Sequence, residues 1–254
     1  MSYPIYPDKH KLPAMLTAEN MIEFRRTQGG LGNFKVPETV ILCLYKGVMK
    51  YFSLKYSSQR VTGFLGDLYL LNKTNGKIAV LGNFGIGSPV VASLADEMIA
   101  WGAKRLVILS LAGGLQPEFH PGDIVLCNRA VRDEGTSYHY LPAGKYADAS
   151  SSFVADLSTA FDNNGLSHSI GGTWSTDAPY RESREEALHY QHEGVKAVDM
   201  ESAGLFAVGQ VRRVETASVF VIGDSLAGPR WSAPPNMNEL HQRLKKCLKV
   251  LTTI

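Results

Sequence analysis

The sequence predicts an α/β fold, a central β-sheet surrounded by helices, running from Thr39 to the C-terminus. Three observations predict it. Short apolar, β-branched runs alternate with segments of helical period. Glycine or Pro-Gly turns punctuate the series. No linker composition, repeat or low-complexity tract breaks it, so residues 39–254 read as one domain and residues 1–38 as an N-terminal extension.

The elements follow in order. "TVILCLY" (39–45) is a strand, and "GKIAVLGNFGIGSP" (76–89) is a strand ending in a glycine turn. A helix follows over 90–102, with Ser88 and Pro89 suited to its N-cap and first position. "KRLVILSLAGGL" (104–115) is a strand running into a glycine pair, and "GDIVLCNRAV" (122–131) is a strand after a Pro-Gly turn. The loop "RDEGTSYHYLPAGKYADAS" (132–150) is long for a connection, which assigns it to a site or an interface. Then come helix 152–165, strand 168–176, helix 183–194, strand 196–200, helix 202–211, strand 216–225 and an amphipathic helix from about Asn236.

Bulk properties exclude several classes. With 44% hydrophobic and 20% charged residues among 254, the chain has the composition of a soluble globular protein. The formal charge of +2, without a long basic block, argues for a small-molecule partner rather than nucleic acid or a membrane. Cys43, Cys127 and Cys247 lie far apart and read as reduced thiols of a cytoplasmic protein. The opening "MSYPIYPDKHKLPAM" lacks the pattern of a signal peptide. No Walker motif, nucleophile elbow or HExxH is present, and Gly82, Gly85 and Gly87 form GxxGxG rather than the dinucleotide fingerprint, so neither cofactor nor metal is expected. His189 and His192 share a helical face, but among "REEAL" and "EG" that face is solvated surface.

Polar residues gather where strand ends meet loops, the place where open α/β sheets bind ligands. "VDMES" (198–202) puts two carboxylates, Asp199 and Glu201, at a strand end that leads into an apolar helix. Interaction of Glu201 with the helix dipole, worth ~0.3–1 kcal/mol, explains only part of this arrangement. "VFVIGDS" (219–225) presents Asp224 at the tip of an uncharged strand, where partial burial raises a carboxyl toward general-acid range.

Together, "GIGSP", "AGGLQPEFHPGDIVL", "RDEGTSYHY", "STDAPY", "VDMES" and "VIGDS" occur in an order that resembles the nucleoside phosphorylase and nucleosidase superfamily. That superfamily includes uridine phosphorylase, hexameric purine nucleoside phosphorylase and methylthioadenosine nucleosidase. The resemblance implies a single domain with a mixed, partly barrel-like sheet. It also implies that Glu201 accepts ribose hydroxyls, that Met200 packs on the sugar, and that Asp224 protonates or hydrogen-bonds a purine-like base. Trp174, Asp177, Pro179, Tyr180 and Arg181 are implicated at the base. Gly85, Gly87, Ser110 and Gly113 would face the acceptor, and Arg60 corresponds to an arginine lent by a neighbouring subunit. Members form dimers or trimers of dimers, so a homo-oligomer is implied, with Tyr138 or His139 near the pocket or the interface.

The chain departs from the pattern at the acceptor. The GDPxR phosphate motif is replaced by "LCLYKGVMKYF" (42–52), and Ile108, Leu111 and Ala112 stand where a second arginine and a threonine or serine belong. Lys46 and Lys50 are nearby, but lysine lacks arginine's bidentate fork. Phosphorolysis of a nucleoside, with inorganic phosphate as co-substrate, is the expected activity. A phosphate-independent nucleosidase and a non-catalytic nucleoside-binding or storage protein are the alternatives.

Overall fold

Strand β5 (Arg105–Gly114) organises the molecule because its two halves serve different neighbours. The computed structural model describes residues 4–234 and 236–254. The first half of β5 lies parallel to β1 (Thr39–Cys43), with Thr39 opposite Arg105 and Cys43 opposite Leu109. Beyond β1 the sheet continues through β4 (Ile78–Gly82), β3 (Asp67–Leu71) and β2 (Ser58–Val61). At its far end β5 pairs antiparallel with β9 (Ala197–Asp199) through Gly113 and Gly114.

From β9 the pairing runs through β8 (Ser169–Thr176), β6 (Ile124–Asp133) and β10 (Glu215–Ser225). Strand β10 then lies parallel to β5, closing a ring of five strands. The mixed, partly barrel-like sheet inferred above is therefore the observed one, and β7 (Tyr146–Asp148) adds to the edge of β6. Between Leu109 and Gly113, β5 has lost β1 and not yet gained β9. This opening is a topological switch point, the usual place for a ligand.

Both faces of the central strands are buried, as expected of a sheet covered by helices on each side. Val40, Leu42, Leu106 and Ile108 point into one core with residues of α1 (Ala18–Thr27), α3 (Ser88–Trp101) and α6 (Ser202–Arg212). Ile41, Cys43, Val107 and Leu109 point into the other with α2 (Lys46–Lys55), α4 (Ser151–Asn163) and α7 (Met237–Leu251). A third cluster of Leu115, Val131, Trp174, Val195 and Val198 packs with Ala187 of α5 (Arg184–His192). Among the described residues no helix is long and apolar enough to cross a membrane.

The segment 46–75, unread in the sequence, folds as α2 and the β2–β3 hairpin. Its strands are short and carry charges, Arg60 and Asp67, that suit an edge. The long loop 132–150 is structured: Glu134 accepts the Thr136 and Ser137 N–H groups, and Arg132 donates to Ser137 Oγ and the Pro142 carbonyl.

Helices α3 and α6 approach closely because position 204 has no side chain. A Cβ on Gly204 would stand 2.9 Å from Ser88 Cβ. Gly204→Ala is expected to destabilise the fold by about 1–3 kcal/mol through overpacking, read as a lower urea midpoint at unchanged m.

Candidate functional site

The junction between β9 and α6 is built around the buried carboxylate of Asp199. One oxygen accepts the backbone N–H groups of Glu201 (3.0 Å) and Ser202 (2.7 Å). The other accepts the hydroxyls of Ser175 (2.6 Å) and Thr173 (3.2 Å). Ser175 Oγ in turn accepts the Ala203 N–H, so three amides at the start of α6 are satisfied from β8 and β9. Burial pushes the Asp199 carboxyl above the usual carboxylate range, against these hydrogen bonds.

Glu201 leaves this junction as a buried side chain in a cavity wall. Its Oε1 accepts the Gly87 N–H at 2.6 Å and its Oε2 accepts the Met200 N–H at 3.2 Å. Gly87 has φ +99°, a conformation available chiefly to glycine, directly before α3. Glu201 thus sits at the N-termini of two helices, and each oxygen keeps a lone pair for a ligand hydroxyl. Burial and the adjacent Asp199 raise its affinity for a proton.

The cavity, about 780 Å³, opens at the gap in β5. Ser110, Leu111, Ala112 and Gly113 form one wall with Leu44 and Ile86, and Val198 to Glu201 form another. A third comes from Pro179, Tyr180 and Glu182 with the start of α5, and a fourth from Asp224 with the loop 226–231. Asp224 owes its position to a bulge in β10. Ile222 pairs with Ala112 and Ser225 with Gly114, so β10 spends one more residue than β5 over this interval. Asp224 Oδ2 accepts the indole N–H of Trp231 at 2.5 Å.

A model of the phosphorylase superfamily matches residues 41–254. The chain belongs to this superfamily. A uridine phosphorylase from Treponema pallidum is 31% identical over 149 residues, spanning 54% of this chain and 58% of that relative, less than two thirds of its length. A DeoD-type purine nucleoside phosphorylase from Streptococcus thermophilus is 28% identical over 155 residues, 60% of this chain and 71% of the relative. Among solved structures, uridine phosphorylase from Vibrio fischeri has the same fold, with a TM-score of 0.71, 21% identity and coverage of 87% and 93% of the two chains. AMP nucleosidase from Bacteroides thetaiotaomicron gives 0.71 at 23% identity, over 93% and 98%.

Within this phosphorylase-superfamily fold, the cavity brings together Met200, Glu201, Asp224, Pro179, Tyr180, Ser110 and Gly113. Other expected residues lie elsewhere. Trp174 is 1% exposed, packs against Tyr190 and donates its indole N–H to Asp133, so it is core and does not face a base. Asp177 accepts the Gly135 N–H and ties the 132–150 loop, and neither it nor Arg181 lines the cavity. Arg60 pairs with Asp67 at the sheet edge, away from the cavity of its own chain. Gly85 is also outside the lining, and Gly87 spends its N–H on Glu201. Tyr138 donates to the Arg132 carbonyl within its own loop.

Among the lining residues that the sequence did not point to are Glu182 and Trp231. The carboxyl of Glu182 is half-buried and pushed up to about 7 by burial, then by Asp224 and Glu186. A carboxyl raised on folding stabilises below its unfolded value near 4.5, and that contribution is lost as pH rises through about 7. Glu182→Gln is therefore expected to raise Tm above wild type at pH 8, with the gain vanishing below pH about 4.5 in thermal melts.

Proposed function

We propose that this chain cleaves the N-glycosidic bond of a nucleoside with a purine-like base, using water as the acceptor. The observation that carries the reading is the shared cavity, which holds a ribose-type acceptor, Glu201, beside Met200, and a base-type carboxylate, Asp224. Its volume of about 780 Å³ is in the range of small-molecule sites. Ionised Glu201 can accept two neighbouring hydroxyls, a pattern that ribose offers and a free base does not. Developing positive charge on the ribosyl ring would be stabilised by this fixed carboxylate.

The choice of water as acceptor is supported by the opposite wall. Leu44, Ile86, Leu111 and Ala112 line it without a cation, and the arginines in the lining, Arg184 and Arg230, belong to the segments that carry Glu182 and Trp231. From this chain's own wall a phosphate dianion beside Glu201 would receive no guanidinium in exchange for its hydration, whereas water needs none. Phosphorolysis is the second reading, favoured by the names of the relatives, a uridine phosphorylase and a purine nucleoside phosphorylase.

A panel of purine and pyrimidine nucleosides, incubated with and without phosphate and assayed for free base, separates these readings. The expected outcome is release of purine base at a rate independent of phosphate. Release that requires phosphate selects phosphorolysis, and nucleoside binding without release selects a binding protein. In the same assay Glu201→Ala should lower kcat/KM by on the order of 100-fold or more, from losing hydrogen bonds to a charged group.

A further inference from the structure

We propose that Trp231 is the base-recognition residue of this cavity: its exposed ring is the stacking surface for a planar base, and its indole N–H sets Asp224 so that one carboxyl oxygen is left for that base. This rests on the N-glycosidic cleavage proposed above and names what holds the departing base.

The backbone after β10 fixes where the indole goes. The chain turns back on itself, and Ser225 and Ser232 exchange backbone hydrogen bonds as an antiparallel pair, at 3.0 and 2.9 Å. Residues one step from such a pair point to the opposite face, so Asp224, Leu226 and Trp231 share a face. All three line the cavity. Asp224 and Trp231 are diagonal neighbours across the pair, a separation that an aromatic side chain spans, and the indole N–H reaches Asp224 Oδ2 at 2.5 Å. The turn is also pinned from β5, where the Gly114 carbonyl accepts the Leu226 N–H at 2.9 Å.

The ring itself is left open. Of the three tryptophans, Trp101 and Trp174 are core, whereas Trp231 is 63% exposed. An indole kept in water beside a cavity offers a large flat face at low conformational cost. The other exposed aromatic of the lining, Tyr180, adds to the same character. A purine covers more of such a face than a pyrimidine does, which gives the site a preference without a further polar contact.

One oxygen of Asp224 completes the arrangement. Oδ2 is taken by the indole, while Oδ1 hydrogen-bonds to no described residue. Gly113 keeps the space beside it: a Cβ there would lie 3.4 Å from Oδ1 and 2.7 Å from Leu226 Cδ1. The bond from Trp231 restrains the carboxyl, so the remaining oxygen meets a base nitrogen without first having to be ordered. Stacking and hydrogen bonding are thus joined in one side-chain pair.

The test has a binding arm that needs no turnover. Because Trp231 is the exposed tryptophan, iodide quenches its fluorescence in preference to that of Trp101 and Trp174, and saturating adenine or hypoxanthine is expected to protect it. Trp231→Ala should raise the Kd for the base, and KM for its nucleoside, by about 10–100-fold. Trp231→Phe keeps an aromatic face without the N–H, so it should recover most of that affinity while kcat stays on the order of tenfold below wild type. Failure of both bases to protect the indole overturns the assignment, as does wild-type Kd and KM in Trp231→Ala. Equal loss of affinity in the Phe and Ala variants, which would mark a structural tether, overturns it too. Base release by wild type is scored separately: protection of the indole by adenine with no release from any nucleoside sinks the cleavage reading and leaves Trp231 as the residue that recognises the base.

Discussion

The site depends on one buried carboxylate that need never touch a ligand. Asp199 collects two amides from the start of α6 and two hydroxyls from β8, and so fixes how strand β9 turns into a helix. Met200 and Glu201 lie inside that turn, with no freedom to choose another direction. Desolvating Asp199 is costly, and four hydrogen bonds offset that cost only while all four are made. The network therefore couples β8, β9 and α6 into one rigid support, on which Glu201 reaches across to Gly87 at the start of α3. Preorganisation of this kind lets a carboxylate meet developing charge without moving.

Much of the fold was legible because the signals are local. The alternation of apolar strands and helices, the glycine-rich ends of β4 and β5 and the amphipathic period of the last helix all sit within short windows of sequence. The short edge elements of residues 46–75 were not, since α2 is brief and the β2–β3 hairpin carries too few apolar residues for a clear period. In the site, Met200, Glu201 and Asp224 were readable because carboxylates at the ends of apolar strands need a reason. Trp174 was misplaced for the converse reason. Alternation along β8 turns its ring away from the cavity, and an aromatic in a strand has no mark that says which side it faces. Glu182 and Trp231 were invisible because their significance is entirely tertiary. One is a surface-type residue before a helix and the other an aromatic in a Gly-Pro loop, until folding sets both beside Asp224.

Electrostatics divide the cavity into unequal parts. Asp199 and Glu201 lie at one junction and Asp224 and Glu182 at another, while the wall from β5 is apolar. Arg184 and Arg230 are the cations of the lining, on the segments that carry Glu182 and Trp231. On the β5 side the lining residues Leu44, Ile86, Leu111 and Ala112 carry no charge.

The bulge in β10 bears on how such a site can change over time. Because side chains alternate along a strand, the extra residue between Ile222 and Ser225 decides which face of the sheet position 224 occupies. Removing one residue there would restore regular pairing and send the aspartate to the other face, even with its identity kept. The chemistry of this wall is thus encoded by a count of residues as much as by their kinds. A single-codon deletion could silence it where many substitutions nearby would not, and a relative that lacks the extra residue would carry the same letters in a different role.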